Sequence, residues 1–358
     1  MNALPADIRS AIRRVLINSL TPTGAWVFKA PYFLEDQIMS HEIETMAYVG
    51  KTPWHGLGNA LSANQPLDIW SKQAGMNWSI KRTPVNFIAG DANYLGESKS
   101  FTDRYVLYRS DTHAPLSIVS QRYKVVQPSE ILEFYRDLTE VSGFELETAG
   151  VLKGGRKIWA LAKTGQSTAL KGNDITNGYL LLATACDGSM ATTAQFTSIR
   201  VVCNNTLAVA LNSSQGAVKV PHNTSFNPHE VKQQLGIASS DWDDFMYRLK
   251  LMSDRKVKPK EAQKYLSQVF IPNDISADTG KSYERSIART LDLFNGRGIG
   301  SDLISSKGTV FGLLNAVTEF IDHERRAKTI DHRLDSAWFG QGAQLKQEAF
   351  KNALLLVT

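Results

Sequence analysis

The stretch that decides the fold is Gly178-Tyr-Leu-Leu-Leu-Ala-Thr-Ala185, followed by Cys186-Asp-Gly-Ser189 and then Met190-Ala-Thr-Thr-Ala-Gln-Phe196. Strand-forming residues dominate both flanks. An Asp-Gly pair between such runs favours a hairpin, because a tight type I′ turn needs positive φ at its centre. The sequence therefore predicts two antiparallel strands joined at Asp187-Gly188. The second strand is expected to lead into a helix that begins near Val201, with Arg200 at the junction.

The segments upstream of this hairpin repeat its pattern. Residues 144–152 and 157–162 are strand-like and are joined through Gly154-Gly155, which predicts a second hairpin. A helix over 130–139, opened by Pro128-Ser129, is expected before it, because its apolar residues recur at helical spacing. Further upstream, residues 105–108 and 116–119 are predicted to pair across a turn-rich connection.

After about residue 225 the pattern becomes helical. Helices are predicted over 229–252, 259–269, 281–294, 309–329 and 343–356. The expected fold class is therefore α+β: an antiparallel sheet of hairpins with a packed helix, in a β-β-β-α-like core, followed by a helical C-terminal region. We expect an N-terminal extension over 1–38, a sheet-rich core over 39–225 and a helical region packing on it over 226–358.

Composition limits the class of protein. The 358 residues are 42% hydrophobic, which is enough for a sizeable core, and the net charge of +5 permits an anionic partner without demanding one. No apolar run approaches the roughly 20 residues that span a membrane. With two cysteines and no recognisable secretion signal, a reduced cytoplasmic protein is expected. Met39 opens a stretch typical of a natural start, so we expect either that translation begins at Met39 or that residues 1–38 are an addition.

The sequence predicts no catalytic residue, no metal site and no cofactor. Cys186 and Cys203 stand 17 residues apart without a CxxC pair, and His residues are isolated, so both thiols are interpreted as core residues. Gly50-Lys51-Thr52 lacks the earlier glycine of a phosphate-binding loop and is followed by a helix-breaking Pro53. No ATP site is therefore expected.

A run of basic residues is the strongest chemical signal. Seven of them lie within 17 residues, opposed only by Asp254 and Glu261, and they could neutralise nucleic-acid phosphates. The alternative is a solvated helix face. Trp242, Phe245 and Tyr247 precede the run, and aromatic rings can stack on unpaired bases or fill a helix core. The basic candidates are Arg248, Lys250, Arg255, Lys256, Lys258, Lys260 and Lys264.

Three further candidates stand outside this run. Arg200, at the expected strand-to-helix junction, would hold a phosphate or form an internal ion pair. Asn204 would contact a base or phosphate, or merely turn the chain. Trp54, in Pro53-Trp-His-Gly-Leu-Gly58, would stack on a base or anchor its loop to the core.

Several motifs carry a family resemblance: His41-Glu-Ile-Glu-Thr-Met46, Thr52-Pro-Trp-His-Gly-Leu-Gly58, Cys186-Asp-Gly-Ser189, Thr197-Ser-Ile-Arg-Val-Val-Cys-Asn-Asn-Thr-Leu207, Gly308-Thr-Val-Phe-Gly-Leu-Leu-Asn-Ala-Val-Thr-Glu-Phe320 and Ser336-Ala-Trp-Phe-Gly340. On these the chain resembles the phage/plasmid-like protein family, a group classed as a domain of unknown function, over about residues 40–356. The resemblance implies a mobile genetic element inside a bacterial cell.

A second resemblance rests on element order alone. The strands over 144–198 with the expected helix after them look similar to the β-β-β-α core of single-strand annealing proteins of the Rad and Redβ kind. Such proteins form rings or filaments and hold DNA by its backbone. This resemblance implies that Arg200 and the basic run contact that backbone.

These observations lead to one leading expectation and two alternatives. The leading one is an oligomeric, ATP-independent protein that binds single-stranded DNA and anneals strands in recombination. The first alternative is a metal-dependent nuclease or nucleotide hydrolase, for which Asp103, Asp174 and Asp187 are the candidate carboxylates. The second is a structural or host-interaction protein of a mobile element.

Overall fold

The computed structural model describes residues 43–50, 58–91, 94–208, 217–235, 239–271 and 280–358. The predicted extension over 1–38 lies outside these residues. Within them, antiparallel sheets are followed by a helical C-terminal region, so the predicted α+β class is confirmed. None of the helices described here combines the length and apolar character needed to cross a bilayer.

The strands of the described residues form two sheets. The large sheet has the order β10-β9-β8-β7-β6-β1-β2, with β11 also pairing with β9, and the small sheet has the order β3-β4-β5. The strands are β1 (Ile43–Val49), β2 (Asn59–Leu61), β3 (Ile80–Asp91), β4 (Tyr94–Arg109), β5 (Pro115–Ser120), β6 (Glu145–Leu152), β7 (Lys157–Leu170), β8 (Asp174–Ala185), β9 (Thr192–Arg200), β10 (Thr206–Ala208) and β11 (Ala217–Val220).

The predicted hairpins are present. β8 and β9 pair antiparallel, and β6 and β7 pair around Gly154-Gly155. The connection between β8 and β9 spans six residues, 186–191, and only Gly188 in it has positive φ, at 76°, so the tight two-residue turn expected at Asp187-Gly188 is wrong. The pairing of β4 with β5 is also as predicted. The turn between β7 and β8 was not predicted; there Gly172 and Asn173 both have positive φ.

The prediction of a helix that begins near Val201 is wrong. The chain instead turns back after β9 and returns as β10, with Thr206 opposite Ile199. The turn is closed by the Arg200 N–H donating to the Asn205 carbonyl at 3.2 Å and by the Asn204 N–H donating to the Arg200 carbonyl at 2.8 Å. Asn204 has a φ of 54°, a conformation that asparagine tolerates better than most residues. Among the described residues, the strands β10 and β11 therefore follow β9 at the place where the sequence predicted a helix.

The helices of the described residues agree with most of the sequence prediction. The predicted helix over 309–329 is shorter and ends in a π-helical turn at Phe320–Glu324, and a helix at Ile330–Phe339 was missed. The helices are α1 (Leu67–Gln73), α2 (Pro128–Ser142), α3 (Pro228–Leu235), α4 (Ser239–Asp254), α5 (Pro259–Phe270), α6 (Gly280–Asp292), α7 (Val310–Glu319), α8 (Ile330–Phe339) and α9 (Gln341–Leu355).

The first face of the large sheet carries the main hydrophobic core. Side chains of a strand alternate between faces, so Ala160, Leu180 and Leu182 share this side and are fully buried. Helices α2, α4, α5, α7 and α9 contribute to the same cluster. Tyr135 connects α2 to the large sheet, because its hydroxyl donates to the carbonyl oxygen of Ala160 at 2.8 Å.

The second face carries a smaller cluster beneath α8. Trp159, Leu161 and Tyr179 are buried on this side, and Leu334 and Trp338 of α8 pack over them. The rings of Trp159 and Trp338 meet edge to face, with centroids 4.9 Å apart.

A glycine on the neighbouring strand makes room for the Trp159 indole. Gly150 lies opposite Trp159 in the register of β6 and β7. A Cβ at Gly150 would come within 3.2 Å of the Trp159 ring and 2.8 Å of the Met46 Cβ. The indole can therefore lie across strand β6 only because position 150 has no side chain.

Candidate functional site

The predicted basic run lies at the end of α4 and along the start of α5. Pro259 occupies the first turn of α5, where its missing N–H costs nothing, and the Lys258 N–H donates to the Glu261 carboxylate at 2.9 Å. Lys260 and Lys264 stand one turn apart and therefore share a face of α5. These contacts define where α5 begins and therefore fix the positions of its lysines.

Five of the seven predicted basic residues are exposed lysines. In the part of the chain that the structure describes, none of the five has a carboxylate within ion-pair distance. Lys256 Nζ donates to the Lys307 carbonyl at 2.6 Å, which brings a sixth exposed lysine beside the run. We call this set the lysine surface: Lys250, Lys256, Lys258, Lys260, Lys264 and Lys307.

The two arginines of the run differ from these lysines. Arg255 forms an ion pair with Glu261 at 2.8 Å, and its guanidinium also reaches the Lys256 carbonyl. Arg248 is half-buried on α4. The arginines are therefore weaker candidates for phosphate contact than the lysines.

Arg200 is not a surface group, and its predicted role as a phosphate contact is wrong. Only 4% of its surface is exposed, and it forms an ion pair with the fully buried Asp174 at 2.6 Å. It also donates to the Ser306 hydroxyl at 2.8 Å, while Ser305 donates to Asp174 at 2.5 Å. Burial is the largest single effect and lowers the pKa of Arg200, but the hydrogen bonds and charges of Asp174 and Cys203 together outweigh it and raise that pKa. Of the two alternatives for Arg200, the internal ion pair is correct.

The remaining candidates are separated from the lysine surface or lie outside the described residues. Asn204 is exposed in the β9–β10 turn, on the other side of the large sheet from α4. Trp54 lies outside the described residues. Of the aromatic residues before the basic run, Trp242 and Phe245 are buried in the core, whereas Tyr247 is 61% exposed. Tyr247 and Lys250 are three residues apart on α4, so they are neighbours on one helix face.

The candidate carboxylates do not come together. Asp174 begins β8 and Asp187 follows its end, which at about 3.3 Å per residue places them roughly 40 Å apart. Asp103 belongs to the small sheet. Across the described ranges no group of three or more His, Cys, Asp or Glu side chains is placed to hold a metal ion.

Both cysteines are buried and unpaired, as predicted. Burial raises the pKa of Cys186 to about 12 and that of Cys203 to about 11. Because the thiolate is the nucleophilic form, these raised pKa values keep both cysteines as thiols at neutral pH and disfavour a role as nucleophiles.

A cavity of about 310 Å³ on the second face of the large sheet was not predicted from the sequence. Its floor includes Trp159, Leu161 and Tyr179, and α8 covers it through Leu334 and Trp338. The sequence signal that could have indicated the cavity is the alternation of small, aromatic and polar residues in β6, β7 and β8. This alternation does not show which face of the sheet the helices leave partly uncovered.

A polar network lies at one side of this cavity. The Tyr179 hydroxyl is 3.1 and 3.3 Å from the two carboxylate oxygens of Glu147, and Lys163 Nζ lies 2.5 Å from Glu147 Oε2. Burial and the Glu147 charge raise the pKa of Tyr179 well above its ordinary value, so Tyr179 remains a hydrogen-bond donor at neutral pH.

Comparison with known proteins identifies one family. A family model described as Domain of unknown function (DUF932) matches residues 115–338, which is more than half of the chain. This range includes β5 to β11 and α2 to α8, and therefore the lysine surface and most of the cavity lining. No curated protein and no solved structure matches the chain.

Proposed function

This chain belongs to the DUF932 family, whose description assigns no activity, and we propose from its surface that it binds single-stranded DNA. The observation that carries the proposal is the lysine surface, where six exposed ammonium groups lie around the α4–α5 turn and beside it. Such a surface binds the phosphate backbone by releasing counterions. Because Arg200 is buried, it does not extend the lysine surface toward the sheet. A bound strand would therefore lie on the outside of the protein.

Tyr247 supplies the preference for unpaired strands in this proposal. Its ring is 61% exposed beside Lys250, and bases of a single strand can stack on such a ring. Stacked bases of a duplex are not free to do so. The ring therefore distinguishes single strands from duplexes, while the lysines bind both.

Self-association is part of the same proposal. Strand β3 is an edge of the small sheet and has one strand neighbour among the described residues, so its free backbone groups can pair with β3 of a second copy. Apolar side chains on this sheet are unusually open: Phe87 48%, Ile88 74%, Phe101 48% and Ile118 65% exposed. Mass photometry of the protein with Phe87 and Phe101 both changed to Ser would show only monomers, if the sheet joins copies.

The setting proposed is the cytoplasm of a bacterial host that carries a phage or plasmid. Annealing of complementary strands in recombination would follow from holding two strands on adjacent copies. Among the alternatives, nothing in the described residues favours a nuclease, since the three candidate carboxylates are separated.

Salt-dependent binding tests the lysine surface. We expect the triple variant Lys258→Gln, Lys260→Gln and Lys264→Gln to flatten the plot of log affinity against log salt by about 2, at about 0.7 per phosphate contact on a single strand. A labelled oligonucleotide and fluorescence anisotropy at four salt concentrations measure this. Tyr247→Ala is expected to cost about 1–3 kcal/mol on single strands and to leave duplex affinity unchanged.

A variant with the same loss of charge elsewhere provides the control. Lys72, Lys219 and Lys328 are exposed on other elements, and changing all three to Gln should leave the salt slope as in the wild type. Equal effects of the two triple variants would mean that only net charge matters. Absence of binding at low salt would refute the proposed function.

A further inference from the structure

Five exposed aliphatic side chains lie together at one end of the large sheet. They are between 37% and 69% exposed and come from the start of β8, the turn after β9 and the loop before α7. Single exposed apolar residues are ordinary, but a cluster of them marks an interaction site. We call this set the aliphatic patch: Ile175, Val201, Val202, Ile299 and Ile304.

Close contacts show that the three segments form one surface. A Cβ added at Gly300 would lie 2.9 Å from Val202 Cγ1, so the loop before α7 packs against the turn after β9. A Cβ added at Gly172 would lie 3.6 Å from the Ile304 Cβ, which places Ile304 against the turn before β8. The other two segments adjoin because β8 and β9 are neighbouring strands.

Buried polar groups hold the loop that carries two of the patch isoleucines. Arg200 Nη2 donates to the Gly300 carbonyl at 3.1 Å and to the Ser306 hydroxyl at 2.8 Å. The Ile299 N–H donates to the Glu319 carboxylate at 3.0 Å. The loop is therefore fixed near both ends, and an interaction surface that is ordered in advance loses less entropy when a partner binds.

Within the described residues, the loop carries one unpaired charge of each sign. Asp302 and Lys307 are exposed, and they stand on either side of Ile304 in the chain. Because the patch has a carboxylate as well as an ammonium group, it does not by itself select a nucleic acid or an anionic membrane. It suits a partner that offers both charges around an apolar centre.

We propose that the aliphatic patch binds the same patch of a second copy of this chain, related by a two-fold axis. In such a contact each residue of one copy meets its counterpart's neighbour in the other, so Asp302 of each copy faces Lys307 of the other. The isoleucines and valines form the apolar centre. Five aliphatic side chains make a small interface of the transient kind, and we expect a Kd of about 10 µM.

This contact is distinct from the self-association proposed for the small sheet. Either surface alone joins copies in pairs, whereas two self-complementary surfaces on one chain link copies into an open chain or a ring. Only that larger assembly rests on the proposed function, because the patch dimer needs no other surface. The weak patch contact dissociates at the low protein concentrations of mass photometry, so that measurement reports the small sheet.

Sedimentation velocity at concentrations above this Kd tests the dimer. In the Phe87→Ser, Phe101→Ser protein, which lacks the small-sheet contact, we still expect dimers. Adding Ile304→Ser should raise the Kd at least about tenfold, because an apolar side chain is lost from the centre of the contact. Ile330→Ser, at an exposed isoleucine that begins α8 outside the patch, is the matched control and should leave the Kd unchanged.

Reversal of single charges tests the two-fold symmetry in the same protein. Asp302→Lys and Lys307→Asp each place like charges opposite each other, so each variant alone should associate at least about tenfold more weakly. An equal mixture of the two should recover the original Kd, because opposite charges then meet at both positions. A change that only disturbed the fold of its own copy would not be rescued by mixing.

Three results would overturn the proposal. They are monomers at every concentration in the protein without the small-sheet contact, equal association of Ile304→Ser and Ile330→Ser, and a mixture of the charge variants that stays monomeric. Binding of monomeric protein to phosphatidylserine vesicles, lost in Ile304→Ser, would also overturn it and assign the patch to a membrane. Oligonucleotide binding by dilute protein reports the lysine surface separately, so the two proposals can fail independently.

Discussion

The two faces of the large sheet treat buried polar groups differently. On the first face, Arg200 and Asp174 satisfy each other, and the hydroxyls of Thr184 and Thr192 lie 2.8 Å apart. On the second face, the Thr148 hydroxyl and the Trp159 indole nitrogen are buried and have no hydrogen-bond partner among the described residues. The unpaired Thr176 hydroxyl of the first face lies beside a cavity of only about 20 Å³, room for a single water molecule.

The difference separates polar groups that stabilise the fold from polar groups that do not. A buried polar group whose partners come from its own chain stabilises one arrangement of that chain and is not accessible to a ligand. A buried polar group without a partner does not stabilise the fold in this way and costs stability. Arg200 therefore has a structural role, although the position expected for it from the sequence, at a junction between a strand and a helix, is also typical of a phosphate contact.

Breaking the closed pair on the first face should have the largest effect. Arg200→Met leaves the Asp174 carboxylate buried without its cation, and we expect a loss of about 3–5 kcal/mol in the free energy of unfolding. Urea denaturation followed by circular dichroism measures it. The double variant Arg200→Met, Asp174→Leu should recover most of that loss, because no charge is then left unpaired.

The result that contradicts this prediction is specific. If Arg200→Met folds with wild-type stability but binds DNA more weakly, Arg200 is a ligand contact and the comparison of the two faces fails.

Breaking the ion pairs that attach α8 to the second face should have the next largest effect on stability. Asp335 accepts from Lys153 Nζ at 2.6 Å and from Lys157 Nζ, and Lys157 is buried. Asp335→Asn leaves Lys157 without a counter-charge, and we expect a loss of about 2–3 kcal/mol, less than for a fully buried pair. Glu348→Gln, which removes the carboxylate of the exposed Lys351–Glu348 pair on α9, is the control and should change stability far less.

The same pair predicts a pH dependence. Burial of Asp335 opposes its ionisation, but the hydrogen bonds from Lys153 and Lys157 outweigh burial and lower its pKa from 3.8. Folding therefore favours the ionised form, so the contribution is present above the unfolded pKa and is lost as pH falls through the lowered value. The stability difference between wild type and Asp335→Asn should shrink below about pH 4. A difference that stays constant down to pH 2 would disprove the assignment.

Two threonines compare the faces directly. Thr184→Val on the first face leaves the Thr192 hydroxyl unpaired, and we expect a loss of about 1–2 kcal/mol. Thr148→Val on the second face removes a hydroxyl for which the described part of the chain provides no partner, so the free energy of unfolding should stay within about 0.5 kcal/mol of the wild type or rise. Chemical denaturation of both variants in parallel measures this. Equal losses would mean that the Thr148 hydroxyl is paired in solution.

The smallest effect is expected at the lysine surface. Changing Lys258, Lys260 and Lys264 to Gln removes exposed charges that have no carboxylate partner in the described residues, so each change should alter stability by less than about 0.5 kcal/mol. Thermal denaturation at low salt is the measurement. A large destabilisation would show that these lysines hold the helices in place, and the loss of DNA affinity would then have a structural cause.

Local patterns determined much of this protein in advance. Turn residues such as Asp187-Gly188 and Gly154-Gly155 predicted the hairpins correctly, because a tight turn needs a residue that accepts positive φ. Apolar residues at helical spacing predicted α2 and most C-terminal helices, because one stripe of a helix must be buried. The exposed lysines could also be found in the sequence, since an unpaired cation is rarely buried.

What only the tertiary structure decided is which groups meet across long distances in the chain. Arg200 and Asp174 pair because β8 and β9 lie side by side, and Ser306 joins them from more than 100 residues away. Only the tertiary structure shows that the chain returns as β10. It also decides which part of the second face the helices leave uncovered. Local sequence determines the conformation that each segment favours, but partners of a buried charge and the empty space beside a sheet are properties of the packed whole.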